Sequence, residues 1–255
     1  MKTSPLAPSF NLAGRRALVT GSSQGIGFAL ARALAASGAR VLLNGRDPVK
    51  LERAVGELRA AGLSAEFQAF DVTDEAAVAT AAPALGAIDI LVNNAGIHRR
   101  GPLETMPLAD WEAVLKTNLT SAFLVARAVA PGMIARRAGK IINICSVMSE
   151  LARPTTGNYA AAKGGLQMLT RAMCAEWAKH NLQVNGLAPG YIITELTQPL
   201  ADDPVFDGWL RGRTPAARWG DPSELVGAAV FLASDASSFV NGHVLYVDGG
   251  LLATL

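Results

Sequence analysis

Three side chains in the middle of the chain could together move a proton. Tyr159 and Lys163 stand four residues apart in Tyr159-Ala-Ala-Ala-Lys163, inside an Ala-rich run. That spacing puts a phenol and an ammonium on one helix face. A free tyrosine, with a pKa of about 10, is a poor proton carrier at neutral pH. A fixed positive charge beside it favours the phenolate and is expected to lower that pKa. Ser146 follows Lys140-Ile-Ile-Asn-Ile-Cys145, a short apolar run with the character of a buried strand. At the end of such a strand its hydroxyl is placed to bind an oxygen, and Tyr159 to act as general acid or base. A tyrosine and a lysine at this spacing are also what an ordinary half-buried helix presents, so the chemistry depends on what surrounds them.

The surrounding elements alternate. Strand patterns lie at Arg16–Thr20, Arg40–Asn44, Ala65–Phe70, Ile88–Asn93, Lys140–Ser146, Gln183–Ala188 and His243–Val247. Helical patterns lie between them, over Phe28–Ser37, Pro48–Ala61, Asp74–Ala82, about Leu108–Ala135, from the Tyr159 run to about His180, and Ser223–Ala233. Gly38 and Gly62 follow two of these helices where a C-terminal cap needs a left-handed residue. Pro131 is expected to kink or stop the long fourth helix. Continuous apolar strands alternating with helices imply a parallel sheet covered on both faces, and right-handed crossovers make it an α/β, doubly wound Rossmann fold. One domain is expected over residues 15–255, after an N-terminal arm over 1–14. Between about 190 and 220 the pattern breaks into prolines, glycines and two tryptophans, which suggests a substrate lid.

Thr20-Gly-Ser-Ser-Gln-Gly-Ile-Gly27 falls between the first strand and the first helix. In that setting the glycines allow a tight turn and close backbone approach, and the helix N-terminus offers N–H groups to a diphosphate. After the second strand the chain reads Asn44-Gly45-Arg46-Asp47. Rossmann proteins that use NAD carry a carboxylate in this region for the ribose hydroxyls. Here that position is Gly45, and the planar guanidinium of Arg46 suits a 2′-phosphate. Asp47 is either a carboxylate one step late or the start of the turn before Pro48, the better reading. NADP(H) is the expected cofactor, with NAD as the alternative.

Taken together, Thr20-Gly-x-x-x-Gly-x-Gly27, Asn93-Asn-Ala-Gly96, Asn118, Ser146, Tyr159-x-x-x-Lys163 and Pro189-Gly190 resemble the short-chain dehydrogenase/reductase family over nearly the whole chain. The resemblance implies that Tyr159 exchanges a proton with the substrate oxygen while nicotinamide exchanges a hydride with its carbon. It implies that Ser146 holds that oxygen, that Lys163 lowers the tyrosine pKa and binds the nicotinamide ribose, and that Asn118 holds a water linking Lys163 to solvent. Gly21, Ser23, Gln24, Gly25, Ile26 and Gly27 would form the diphosphate turn. Asp71 and Val72 would meet the adenine, and Asn93, Ala95 and Gly96 would line the cofactor. Pro189, Gly190, Ile192 and Thr194 would place the carboxamide. Taken singly, Asp71 could merely cap a turn, and Asn118 could bond the backbone inside a helix.

Gly96–Pro102, Ser146–Pro154 and Trp209–Gly220 further resemble those members of the family that interconvert gluconate and its 5-keto form. Independently of that, a polyhydroxy acid needs a cation for its carboxylate and polar groups for its hydroxyls. His98, Arg99, Arg100, Ser149, Glu150 and Arg153 fall near the expected cleft, with Arg100, Glu150, Arg153, Ser146 and Tyr159 the candidate substrate contacts. Alternating side chains allow only one of Arg99 and Arg100 to point inward, and Arg100, nearer the Gly101-Pro102 turn, is the choice. A 3-oxoacyl thioester reductase is the alternative enzyme and a non-catalytic NADP(H)-binding sensor the alternative of another class. An intact Ser146, Tyr159 and Lys163 argue against the sensor.

Bulk properties agree with a small-molecule enzyme. The chain has 255 residues, 50% of them hydrophobic, and a formal net charge of +2, which gives no reason to expect nucleic acid or an acidic membrane surface. Cys145 and Cys174 are expected to be two buried free thiols of a reducing compartment. The N-terminal arm lacks a signal-peptide core, and the apolar stretch Ala122–Ala135 is broken by Arg127 and Pro131. A cytoplasmic location follows as the expectation. The three histidines share no ligand spacing, so no metal is expected. The Ala-rich long helix and Val244-Leu-Tyr-Val-Asp-Gly-Gly250, read through the family resemblance, suggest a homotetramer.

Overall fold

The structure, a computed structural model, describes residues 9–254. Residues 1–8 of the expected arm lie outside it. Strands β1 (Arg16–Val19), β2 (Arg40–Gly45), β3 (Ala65–Ala69), β4 (Ile90–Asn93), β5 (Gly139–Ile144), β6 (Leu182–Pro189) and β7 (Val244–Val247) form one sheet in the order β3-β2-β1-β4-β5-β6-β7. Every neighbouring pair is parallel. The order reverses between β1 and β4, which opens a crevice beyond the C-terminal ends of those two strands.

Strand alternation divides the core. Val19, Leu43, Val92, Ile142 and Leu187 face helices α1 (Gly25–Ala36), α2 (Pro48–Ala60) and α9 (Val226–Ala233). Leu18, Leu42, Leu91, Ile141 and Val184 face the other layer, α3 (Glu75–Leu85), α5 (Ser121–Arg136) and α6 (Gly157–Trp177). Each fully buried Leu or Ile contributes roughly 1.5–3 kcal/mol, so both layers hold the strand ends in fixed register. The rigid sheet is what positions the site.

Several boundaries differ from expectation for local reasons. The long fourth helix runs unbroken from Leu108 to Arg136, close to expectation, but a π turn over Lys116–Thr120, in which the Ser121 N–H reaches back to the Lys116 carbonyl, divides it into α4 (Leu108–Leu115) and α5. Pro131 does not end α5, which runs to Arg136 and stops on Arg137 in the left-handed conformation. By length and composition the α4–α5 run would be apolar enough to cross a membrane. Here it is a core helix pair, with Leu124, Val125, Ala126 and Met133 buried in the second layer. Strand β5 ends at Ile144, two residues before Ser146. The segment between β6 and α9 is also more regular than a loop. It holds α7 (Gln198–Ala201) and α8 (Pro204–Arg213), each with proline in its first turn, where the missing N–H costs nothing. A bridge between Ile192 and Gly220 ties the two ends of this segment together.

Candidate active site

Ser146, Tyr159 and Lys163 meet beyond the end of β5. Ser146 adopts an extended conformation and caps a single 3₁₀ turn, its Oγ accepting from the Met148 N–H at 3.1 Å. Tyr159 and Lys163 share one face of α6. Lys163, almost wholly buried, donates from Nζ to the Ile144 carbonyl at 2.6 Å and lies 5.6 Å from the centre of the Tyr159 ring. Burial lowers its pKa to about 8.

The expected lowering of the Tyr159 pKa does not hold in the protein alone. Burial pushes the phenol up to about 12, opposed mainly by the nearby Ser146 hydroxyl. The ammonium is committed to the Ile144 carbonyl and lies over the ring, while desolvation of the phenolate is the larger effect. Tyr159 therefore holds its proton at neutral pH.

Asn118 sits in the π turn, fully buried, and both ends of its amide grip the backbone of one residue. Its Oδ1 accepts from Ile97 N at 2.7 Å and its Nδ2 donates to Ile97 O at 2.9 Å. The side chain so fixes the loop after β4 against the helix. That loop carries the cleft wall. Arg99 is bound to Asp110 at 2.5 Å, whereas Arg100 has no ion-pair partner among the described residues. Burial and the nearby Arg153 guanidinium lower the Arg100 pKa, with Tyr191 acting in the opposite sense. The His98 ring stacks on Tyr159, centroids 4.6 Å apart and planes within 10° of parallel. Burial, then Arg100 and Arg153, push its pKa down to about 4, so this imidazole is neutral.

Glu150 is directed elsewhere. Its carboxylate accepts from Gln167 Nε2 at 2.5 Å and from the Tyr246 hydroxyl at 3.3 Å, away from Tyr159. Ser149 donates to the Lys163 carbonyl at 2.9 Å and steadies α6. Arg153 lies over the Phe206 ring at 4.8 Å, against the aromatic cluster of Tyr191, Phe206, Trp209 and Trp219. Asp207 accepts from the Trp219 indole at 2.7 Å and pairs with Arg211, which locks α8 to the base of the lid.

On the other side of the crevice the glycine turn is shaped for close approach. Gly21 and Gly25 have φ near +60°. A Cβ at Gly27 would lie 2.4 Å from Asn94 Nδ2 and 2.5 Å from the Gly21 carbonyl, so only glycine fits. Helix α1 begins at Gly25, three residues before the expected Phe28, with no side-chain cap and no acidic residue in its first turn. Its first N–H groups are left for an anion. Asn94 clamps the turn by donating to the Thr20 and Gly21 carbonyls, each at 2.9 Å, while Thr20 Oγ1 accepts from the Asn94 and Ala95 N–H groups. Gln24 donates to Glu195 at 2.7 Å and links the turn to the lid.

At the end of β2, Gly45 has ordinary backbone geometry, and an added Cβ would touch only the Leu51 side chain, at 3.6 Å. Arg46 is exposed and without an ion-pair partner among the described residues. Asp47 caps α2, accepting from the Val49 and Lys50 N–H groups, which commits one carboxylate oxygen to the turn. These features fit a dinucleotide with a 2′-phosphate: a glycine cradle, an uncapped helix start, a guanidinium without an ion-pair partner among the described residues, and an adjacent carboxylate engaged in capping α2.

The remaining candidate positions divide by geometry. Asp71 accepts from Thr73 N and Oγ1, both at 2.8 Å, and Val72 packs into the second core layer. Asn93 turns inward, donating to Asn143 Oδ1 at 2.9 Å, and Asn143 in turn donates to Thr170. Its side chain braces β4 to β5. Gly96 sits against the Asn118 amide, and Gly190 packs on the Asp248 backbone, where a Cβ would come within 2.7 Å. Pro189 ends β6, Ile192 makes the lid bridge, and Thr194 bonds Thr197. Ser23 and Ile26 lie in and just after the glycine turn, half-buried.

Cys145 is buried and its thiol pushed up to about 11, whereas Cys174 is only half-buried, contrary to expectation, because its helix position meets the surface. No group of three metal-ligating side chains comes together among the described residues. Sequence reading assigned no individual role to Asn94 or Tyr191, and it placed His98 near the cleft only as one of several polar side chains. Asn94 and Tyr191 adjoin quoted motifs, which was the available signal; the stacking of His98 on Tyr159 has none.

Comparison with known proteins places this geometry. A family model described as enoyl-(acyl carrier protein) reductase matches residues 21–252. The chain is 53% identical over 250 residues to 5-keto-D-gluconate 5-reductase of Escherichia coli K12 and 54% identical to gluconate 5-dehydrogenase of Gluconobacter oxydans, covering 96% of this chain and 98% of each relative. A crystal structure of gluconate 5-dehydrogenase from Burkholderia cenocepacia, in complex with NADP and tartrate, superposes with a TM-score of 0.95 at 54% identity, over 97% of this chain and 99% of that one.

Proposed function

The chain belongs to the short-chain dehydrogenase/reductase family, and on that premise we propose that it is an NADP(H)-dependent oxidoreductase interconverting D-gluconate and 5-keto-D-gluconate. The observation that carries the substrate is the wall around Tyr159, where Arg100, unpaired, stands near Arg153 and a neutral His98. An open-chain sugar acid supplies the carboxylate and the hydroxyls that such a wall recognises. The names of the similar proteins agree with it. NADP(H) supplies the hydride equivalent. The glycine turn, the α1 N-terminus and Arg46 would hold it, with Asn93, Ala95, Gly96, Pro189, Gly190, Ile192 and Thr194 along its path.

In this reading Tyr159 delivers the proton to the carbonyl oxygen during reduction, and Ser146 donates to the same oxygen and orients it. A phenol that keeps its proton at neutral pH suits a general acid. Lys163 passes a proton to Tyr159 and would be re-protonated in turn from solvent. Arg100 clamps the carboxylate with parallel hydrogen bonds, as only a planar guanidinium does. Incubation of D-gluconate with the enzyme and NADP+, with the product identified by NMR, tests the assignment. Oxidation at C5 supports it, and oxidation at C2 or no oxidation refutes it.

A 3-oxoacyl thioester would need an apolar channel in place of two arginines and a histidine, which disfavours that reading. We further propose a cytoplasmic homotetramer. The exposed apolar Phe123 and Met168 on α5 and α6, and the fully exposed Phe239, support burial against further copies of the chain. Neither a membrane nor a nucleic acid is proposed as a partner.

A further inference from the structure

Buried polar atoms without a partner are uncommon, because each costs about 1–3 kcal/mol unless something satisfies it. Among the described residues three such atoms belong to one group of side chains, His98 Nδ1, Arg153 Nε and the Tyr191 hydroxyl, of which the Arg153 guanidinium and the Tyr191 hydroxyl are close enough to satisfy one another. They come from three different loops, after β4, β5 and β6. The Arg153 charge acts on both His98 and Tyr191, so the three are neighbours. Phe206, packed on Tyr191 and Arg153, covers them from the lid.

We propose that His98 is a specificity-determining residue that hydrogen-bonds the substrate hydroxyl on a carbon next to the one that exchanges hydride. The inference rests on the sugar-acid reading and names the groups that would enforce it. Tyr159 takes the reacting oxygen. A ring stacked parallel to it, at 4.6 Å between centroids, would meet the next part of the substrate chain. A neutral imidazole has one donor and one acceptor, and a hydroxyl can satisfy either. His98 is held neutral here by burial and by Arg100 and Arg153, so it does not compete with Arg100 for the carboxylate. Tyr191 and Arg153 complete the polar wall beside it. A hydroxyl-bearing substrate can satisfy the His98 imidazole, while a simple ketone leaves it unpaired, and a site built this way discriminates strongly.

Two variants separate hydrogen bonding from stacking. His98→Phe keeps a ring on Tyr159 and removes the polar edge, whereas His98→Gln keeps a donor and an acceptor and removes the stack. The expected result is a KM for 5-keto-D-gluconate raised about tenfold or more in His98→Phe, with kcat retained and His98→Gln restoring KM toward wild type. If His98 only braces Tyr159, His98→Phe behaves as wild type and His98→Gln loses kcat, which overturns the proposal. Thermal midpoints of the NADPH-loaded variants show whether either has failed to fold. A wild type that ignores 5-keto-D-gluconate but reduces a neutral keto-polyol refutes the sugar-acid reading alone. The same two variants then decide the His98 proposal on that polyol.

Discussion

The ammonium of Lys163 is bonded to the main-chain carbonyl of Ile144 at 2.6 Å, at the last residue of the strand that leads to Ser146. One hydrogen bond thus fixes α6 to the end of β5 and sets the distance between Tyr159 and the serine. It also explains why the lysine, though four residues from the tyrosine, does not dominate the phenol's acidity. Its charge is directed at a carbonyl and lies over the ring.

Tyr159→Phe keeps the stacking partner of His98 and removes only the hydroxyl. NADPH affinity should be retained while turnover falls by about 10²-fold or more. Fluorescence titration of the cofactor beside steady-state kinetics checks this. A Phe variant with near-normal turnover would show that another group moves the proton.

The pH dependence follows from the two shifted groups. Tyr159, raised to about 12, stays protonated across the working range, so it sets no limb near neutrality. Lys163, lowered to about 8 by burial, is charged below that pH and loses its proton above it. Ketone reduction, which consumes a proton, should be flat at neutral pH and decline through about pH 8, with alcohol oxidation rising over the same interval. Profiles of kcat in both directions test it, and parallel profiles would contradict it.

Arg46, which has no ion-pair partner among the described residues, follows β2 beside a glycine where NAD-binding relatives of the fold place a carboxylate. Arg46→Ala should weaken NADP(H) roughly ten- to a hundredfold and leave NAD(H) little changed. Gly45→Asp, which the local packing admits, should reverse the preference. Equal losses of both cofactors in Arg46→Ala would mean that the residue does not read the 2′-phosphate.

With Arg99 committed to Asp110, Arg100 is the arginine free to meet a carboxylate. Arg100→Ala should raise KM strongly for the sugar acid and much less for an uncharged keto-polyol of equal length. The same loss for both would make Arg100 a loop-shaping residue.

Much of this architecture was legible because glycines punctuate β-branched runs: the seven strand patterns and the glycine turn are local signals. The π turn at Lys116–Thr120 was not legible, since its residues have ordinary helical propensity and only the grip of Asn118 on Ile97 sets the geometry. The lid helices were missed because Pro199 and Pro204 suggest breaks, although proline suits a first turn. Glu150 looked like a cleft residue from its position, but the choice of Gln167 and Tyr246 as partners is tertiary. In the protein alone burial outweighs the lysine's effect on Tyr159, which spacing could not show because it reports a neighbouring charge and says nothing of burial.

The central claim is that the cleft around Tyr159 selects a sugar keto acid over other ketones. The direct measurement is kcat/KM with NADPH for 5-keto-D-gluconate and for a 3-oxoacyl thioester on the wild-type enzyme. The account predicts that the keto acid is preferred by at least about 10²-fold. A thioester reduced equally well or better would contradict it.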